Sequence, residues 1–286
     1  QNPNTTPVEI QIMNLGHARR YSSRLAKELA GDFYPGPVLM PHSVLRAMEP
    51  FLAFALGPAR EKNDGFSAST EAMLRGRPDG PLLIALWSSM AAGEVPAKDI
   101  RDILRLFPEP LPNCPKNRGE LLAFLLPRVA PVASGMLAIG GRRTPEARPP
   151  AERLGLGLAL TGILVQLPKH LAAGCFPLPT SDLEKCQVTL EELKLGVQTA
   201  PVQRFIATEA RWARQLLDEG LSLRPHLGAR LRRGLRAVVV RSRKLLDQAE
   251  NPNQDLFRKA PELSSVLRWS SVCRAMLGIK PERANT

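Results

Sequence analysis

A chain of 286 residues with 44% hydrophobic residues has enough apolar material for a sizeable core, arranged as one large domain or two ordinary ones. Only 5% of the residues are aromatic, and no β-branched run except Ala237 to Arg241 alternates over a strand's length, which favours helix-on-helix packing over a β-sandwich. The formal charge of +12 argues for an acidic partner (anionic lipid, nucleic acid or an acidic protein surface) or for a generally basic exterior.

Residues 1–15, QNPNTTPVEIQIMNL, are polar and proline-containing and are expected to form an irregular arm able to clamp a partner. From Gly16 to Ala30, Tyr21, Leu25 and Leu29 make one helical stripe with basic residues opposite. The proline-punctuated DFYPGPVLMP then leads to a helix from His42 to Leu56. Gly57 and Pro58 stop it, so Glu61 and Asp64 are expected in a solvated turn; a metal-binding use would need the helix to continue.

Two more helices are expected at Pro81 to Ala92, with Trp87 in the core, and at Ala97 to Phe107. FPEPLPNCPKNRG cannot be helical and is a long loop, hence a candidate partner surface. Glu120 to Ala138 reads as a helix kinked or split by Pro127 and Pro131. The loop GGRRTPEARPP carries Arg142, Arg143 and Arg148, expected to be solvated, with phosphate or lipid headgroups as the alternative.

The stretch from Leu154 to Leu167 has no charge and would be apolar all round as a helix, which belongs in the middle of a bundle. Its glycines, Gly155, Gly157 and Gly162, are expected to let neighbouring helices approach closely. Beyond Pro179, Thr180 or Ser181 should cap a short helix, and Thr189 with Glu191 and Glu192 another. Ala200 to Leu217 is amphipathic, with Val202, Phe205, Ile206, Ala213, Leu216 and Leu217 inward and Arg204, Arg211, Arg214 and Asp218 toward water.

A strongly basic helix follows, carrying Arg224, Arg230, Arg232, Arg233, Arg236, Arg241, Arg243 and Lys244 with no acidic residue between Glu219 and Asp247. Its apolar stripe of Leu227, Leu231, Leu235, Val238 and Leu245 should pack on the bundle and present the cations outward, to an acidic partner subunit or an anionic membrane surface; the lack of interleaved aromatics disfavours nucleic acid. After a turn at Asn251 to Gln254, a last helix is expected from Leu256 to Leu277.

Cys114, Cys175, Cys186 and Cys273 are too scattered for a zinc site or a disulfide framework, and the four histidines form no ligand pair, so free thiols and no metal or cofactor are expected. The longest uncharged runs, Val129 to Gly141 and Leu154 to Pro168, fall short of the roughly 20 residues that cross a bilayer, which leads to the expectation of a protein peripheral to its membrane. The chain opens on Gln1 rather than Met, which suggests a targeting segment already removed.

The order of these features carries a family resemblance. Leu39-Met40-Pro41 before a helix containing Ala53-Phe54-Ala55, the Leu/Gly-rich helix, the exit Gly-Cys-Phe-Pro-Leu-Pro and SDLEKCQVTLEEL resemble the squalene/phytoene synthase family. The resemblance implies an all-α, single-domain helical bundle of the isoprenoid synthase type over 16–279, followed by a tail at 280–286. In the enzymes, two acidic motifs hold magnesium against a diphosphate. Here the first place reads LGPAREKNDG, and the second reads Gly162 to His170 with no carboxylate between Glu152 and Asp182. Ionising a prenyl diphosphate needs divalent ions, and those need clustered carboxylates.

Within the family the chain looks most like the non-catalytic mitochondrial complex I assembly factors, through Pro81 to Trp87, Phe176 to Pro179 and Leu-x-x-Val-Leu-x-x-Trp269. That resemblance implies a pseudoenzyme on the matrix side of the inner membrane, bound to protein subunits of a respiratory complex. The alternatives are an active magnesium-dependent head-to-head prenyl transferase and a non-catalytic isoprenoid or quinone binder.

Overall fold

A computed structural model describes residues 7–35, 38–60, 63–252, 256–258, 261–264 and 268, with the backbone alone for 7–14 and 60. Among the described residues there are twelve α-helices and no strand: α1 Pro7–Ala30, α2 His42–Leu56, α3 Asp64–Leu74, α4 Pro81–Ala91, α5 Ala97–Leu106, α6 Arg118–Ile139, α7 Arg148–Val165, α8 Leu167–Ala172, α9 Thr180–Cys186, α10 Leu190–Lys194, α11 Ala200–Gly220 and α12 Ala229–Glu250. The strand-like run Ala237 to Arg241 is part of α12, because its neighbours supply a helical rather than an alternating apolar pattern.

Short polar side chains start several of these helices. Asn63 Oδ1 accepts from Phe66 N at 3.0 Å, Asn117 Oδ1 from Glu120 N at 3.0 Å, and Thr199 Oγ1 from Val202 N at 3.4 Å. Thr189 and Glu192 form the expected reciprocal cap of α10, and each such cap contributes about 1 kcal/mol. Thr180 and Ser181 do not cap α9. That position belongs to Pro179, while the backbone N–H groups of Thr180 and Ser181 donate to Pro115 and Lys116 of the preceding loop.

Other boundaries also depart from expectation. α1 begins at Pro7, inside the stretch 1–15 expected to be irregular. Asp64 opens α3, a helix whose weak apolar stripe hid it, and Glu61 lies outside the described residues. α6 is not split at Pro127 and Pro131: it is one helix from Arg118 to Ile139, with Pro127 exposed and Pro131 buried among residues that pack into both cores. By length and composition α6 is also apolar enough to cross a bilayer, which a search for uncharged runs misses because Arg128 interrupts it. Of the last expected helix, 256–258 form a turn and 261–264 are irregular; most of the remainder, Trp269 and Cys273 included, lies outside the described residues.

Two cores share α6. One is built from α6 to α12 around Leu160, Leu164, Phe176, Phe205, Leu217 and Val239; the other from α2 to α5 around Met48, Phe51, Phe54, Met73, Leu86 and Ile103. α6 sends Leu121, Leu125, Ala133 and Leu137 into the first and Ile139 into the second.

α7 lies antiparallel against α11 at backbone contact. A Cβ on Gly157 would stand 2.8 Å from Leu217 N, and one on Gly220 2.7 Å from Leu154 Cα. Gly155 faces Val129 just as tightly, so two of the three α7 glycines serve the expected close approach. Gly162 does not: a Cβ there would meet no atom within 4 Å.

Candidate functional site

The cations expected to face outward from the basic helix are divided by the fold. Arg230, Arg232 and Arg233 are exposed, while Arg224, Arg236, Arg243 and Lys244 are half-buried. Arg241 is only 6% exposed and donates from Nη1 to the Tyr34 carbonyl at 2.6 Å and from Nη2 to the Arg268 carbonyl at 3.5 Å. Burial lowers its pKa from the usual arginine value, with Asp32 acting against the shift. The reason is spacing: Gly234, Ala237, Arg241 and Leu245 fall on one helical stripe, which packs toward the connection between α1 and α2.

Arg243 pairs with Asp218 on α11, and Arg214, expected to face water, reaches across from α11 to Asp247 at 2.6 Å and to Glu250. Burial works against the Arg214 charge, but these two carboxylates hold its pKa above the usual value. The C-terminal half of α12 is therefore a packing element, and among the described residues the helix's exposed cations are confined to its N-terminal turns.

The structure assembles a second basic surface from residues far apart in sequence. α1 and α2 enclose a groove of about 600 Å³ lined by Arg19, Arg20, Arg24 and Lys27 on one wall and His42, Arg46 and Glu49 on the other. Lys27 lies over the Tyr34 ring at 5.9 Å, and the Tyr34 hydroxyl donates to Glu49. Burial and that carboxylate push the Tyr34 hydroxyl far above its ordinary pKa, so it stays a donor. The basic side of α1 was visible in the sequence; its pairing with the start of α2 was not.

The two stretches expected to stand at the acidic motifs' places, the end of α2 and the turn from Gly162 to His170, carry the following groups. At the end of α2, a Cβ on Gly57 would stand 2.8 Å from Leu29 Cδ1, and Ala59 is buried. On α7 and α8 the same region offers Gly162, Val165, the exposed Gln166 and Lys169, and His170, whose pKa burial lowers. Open space lies beside Gly162, with no carboxylate on this turn. Among the described residues no group of three or more His, Cys, Asp or Glu side chains could hold a metal ion.

Two buried carboxylates, missed in the sequence, meet at the junction of α6, α9 and α11. Asp182 is 1% exposed as a residue and receives Arg118 Nε at 2.6 Å and Lys185 Nζ at 2.9 Å. Burial raises its pKa, but these donors outweigh that and hold it below the usual carboxylate range. Glu209, 2% exposed, stands 3.7 Å from Arg118 Nη2, and neither of its oxygens has a hydrogen-bond partner. Burial, with the Asp182 charge beside it, pushes Glu209 up to about 8. The sequence held a signal: Phe205, Glu209 and Trp212 share one inward stripe of α11, where a charge is out of place.

With this geometry in place, the comparisons with known proteins are specific about fold. The family model described as squalene/phytoene synthase matches residues 54–270. The squalene synthase HpnC from Alicyclobacillus acidocaldarius superposes with a TM-score of 0.70 at 21% identity, covering 87% of this chain and 98% of its own. A dehydrosqualene synthase solved with a ligand gives 0.82 at 17% identity, covering 94% and 99%. YisP from Bacillus subtilis gives 0.75 at 15% identity, covering 92% and 98%. No curated protein matches the sequence.

Proposed function

This chain belongs to the squalene/phytoene synthase family, and we propose that within it the protein is a non-catalytic member whose bundle serves as a structural subunit or assembly factor of a membrane complex. The observation that carries this reading is the donor set on α7 and α8. Magnesium is held by hard oxygen ligands, carboxylates above all, and Gly162, Val165, Gln166, Lys169 and His170 offer one amide oxygen between them and carry at least one positive charge. These residues do not fit the ion. A cation here repels magnesium as it would attract a diphosphate, so a bound diphosphate would lack the counter-ions that let it leave.

The finer role follows from the resemblance to the complex I assembly factors: attachment to a respiratory complex at the matrix face of the mitochondrial inner membrane. In this reading the exposed Arg230, Arg232 and Arg233 face an acidic protein partner.

Two measurements test the proposal. Purified protein incubated with farnesyl or geranylgeranyl diphosphate and magnesium should release no diphosphate above the rate in buffer; magnesium-dependent release would establish the prenyl transferase instead. In mild-detergent extracts of its source membranes the protein should comigrate with respiratory subunits at fixed stoichiometry. Migration as a free chain of about 31 kDa would remove the assembly role.

A further inference from the structure

We infer that the groove between α1 and α2 binds the phosphate groups of anionic lipids and lays this end of the molecule on a membrane surface. Arg20, Arg24 and Lys27 follow one another at helical spacing, so their charges form a stripe along α1 about 10 Å long. Arg46, a turn beyond His42 on α2, faces that stripe from the other wall. Five permanent cations and one histidine thus surround a single carboxylate, Glu49, which is already engaged by Tyr34.

Among the described residues, none of Arg19, Arg20, Arg24, Lys27, His42 and Arg46 forms an ion pair, whereas Arg118, Arg128, Arg214 and Arg243 each have a carboxylate. Like charges gathered without counter-ions repel, and an anion in the groove relieves that repulsion. Several of the side chains are held in position beforehand: Arg24 over the Tyr21 ring at 5.8 Å, Lys27 over Tyr34, and Arg19 by Ser88 Oγ at 3.4 Å.

The surroundings of the groove favour a membrane over a soluble polyanion. Trp87, 38% exposed and expected in the core, adjoins on α4 the Ser88 that Arg19 touches, and Val38, 58% exposed, lies in the connection that leads into α2. Basic residues flanked by exposed apolar ones are what an interfacial segment offers, cations to headgroups and apolar side chains to the acyl boundary. The inference stands whether or not the protein turns over a prenyl diphosphate.

Flotation of the full chain with vesicles tests it. The protein should float with vesicles of phosphatidylcholine and phosphatidylglycerol in equal parts and not with phosphatidylcholine alone. Each cation removed near such a surface weakens binding about fivefold, so Arg20→Gln/Arg24→Gln/Arg46→Gln should lower partitioning about a hundredfold. The control Arg230→Gln/Arg232→Gln/Arg233→Gln should lose less than about a tenth of that, and Val38→Ser should weaken binding a few-fold with no change in charge. All these side chains are exposed or half-buried, so the melting temperature should hold and separate lost binding from lost fold. Failure of the unaltered protein to float with the anionic vesicles, or equal losses from the two triple variants, overturns the assignment. Release from vesicles by inorganic diphosphate at matched phosphate concentration, or tighter groove-dependent binding to a short RNA duplex, would assign the groove to a soluble anion instead.

Discussion

Asp182 and Glu209, both buried, share one arginine and are shifted in opposite directions, Asp182 below the usual carboxylate range and Glu209 up to about 8. Arg118 Nε donates to Asp182 at 2.6 Å while its Nη2 remains 3.7 Å from Glu209, and the same guanidinium lies over the Trp212 ring at 4.6 Å. The loop before α6 is thereby tied to α9 and α11, alongside the backbone bonds from Cys114 N to the Phe176 carbonyl and from Thr180 N to the Pro115 carbonyl. The non-helical segment expected as a partner surface is in part committed to this internal tie.

Replacing Arg118 by Met leaves Asp182 charged and buried with only Lys185 to balance it. Breaking such a pair costs several kcal/mol when fully buried; Arg118 is about one-third exposed, which reduces the expected loss to roughly 2–3 kcal/mol. Urea unfolding of the two proteins measures it.

Glu209 gives stability a dependence on pH. Its folded pKa of about 8 lies above its ordinary value of 4.5, so folding favours the protonated form. The stabilisation is fully present below the ordinary value and is lost as pH rises through the folded one. Glu209→Gln, neutral at every pH, should therefore gain on the unaltered protein steadily from about pH 4.5 to 8 and level off above. Melting temperatures across that range decide it: a pH-independent difference would mean that Glu209 is charged in the folded protein.

Two glycines in one helix should respond in opposite directions. Gly157→Ala sets a methyl 2.8 Å from a backbone nitrogen that cannot yield, and should destabilise by about 3 kcal/mol. Gly162→Ala enters open space in a helix interior and should stabilise by about 0.5–1 kcal/mol. Chemical denaturation of both variants suffices, and equal losses would mean that α7 does not pack on α11 as described.

Arginines of α12 should likewise separate. Arg241→Met removes the donor to the buried Tyr34 carbonyl and should cost about 2 kcal/mol, while Arg232→Gln, exposed, should stay within about 0.5 kcal/mol. Differential thermal unfolding reads the contrast directly.

Periodicity and punctuation determined much of this protein by themselves. The bounds of α2 at His42 and Leu56, the helix near Pro81 to Ala91, the cap at Thr189 and the buried face of α11 all follow from short-range rules, because a helix is made by residues within a few positions of one another. The family order was legible for the same reason, as a sequence of helices, glycines and prolines. Chemistry that joins distant residues was not. Arg241 and Arg232 look alike in the sequence, and only the packing of α12 toward the connection between α1 and α2 makes one internal and leaves the other in water. Glu209 is pushed up because the packing of α11 buries it, with Asp182 of α9 beside it, and the cations of α1 become a groove because α2 returns alongside them. Charge and protonation depend on distance and dielectric in three dimensions, and those are set by tertiary structure alone.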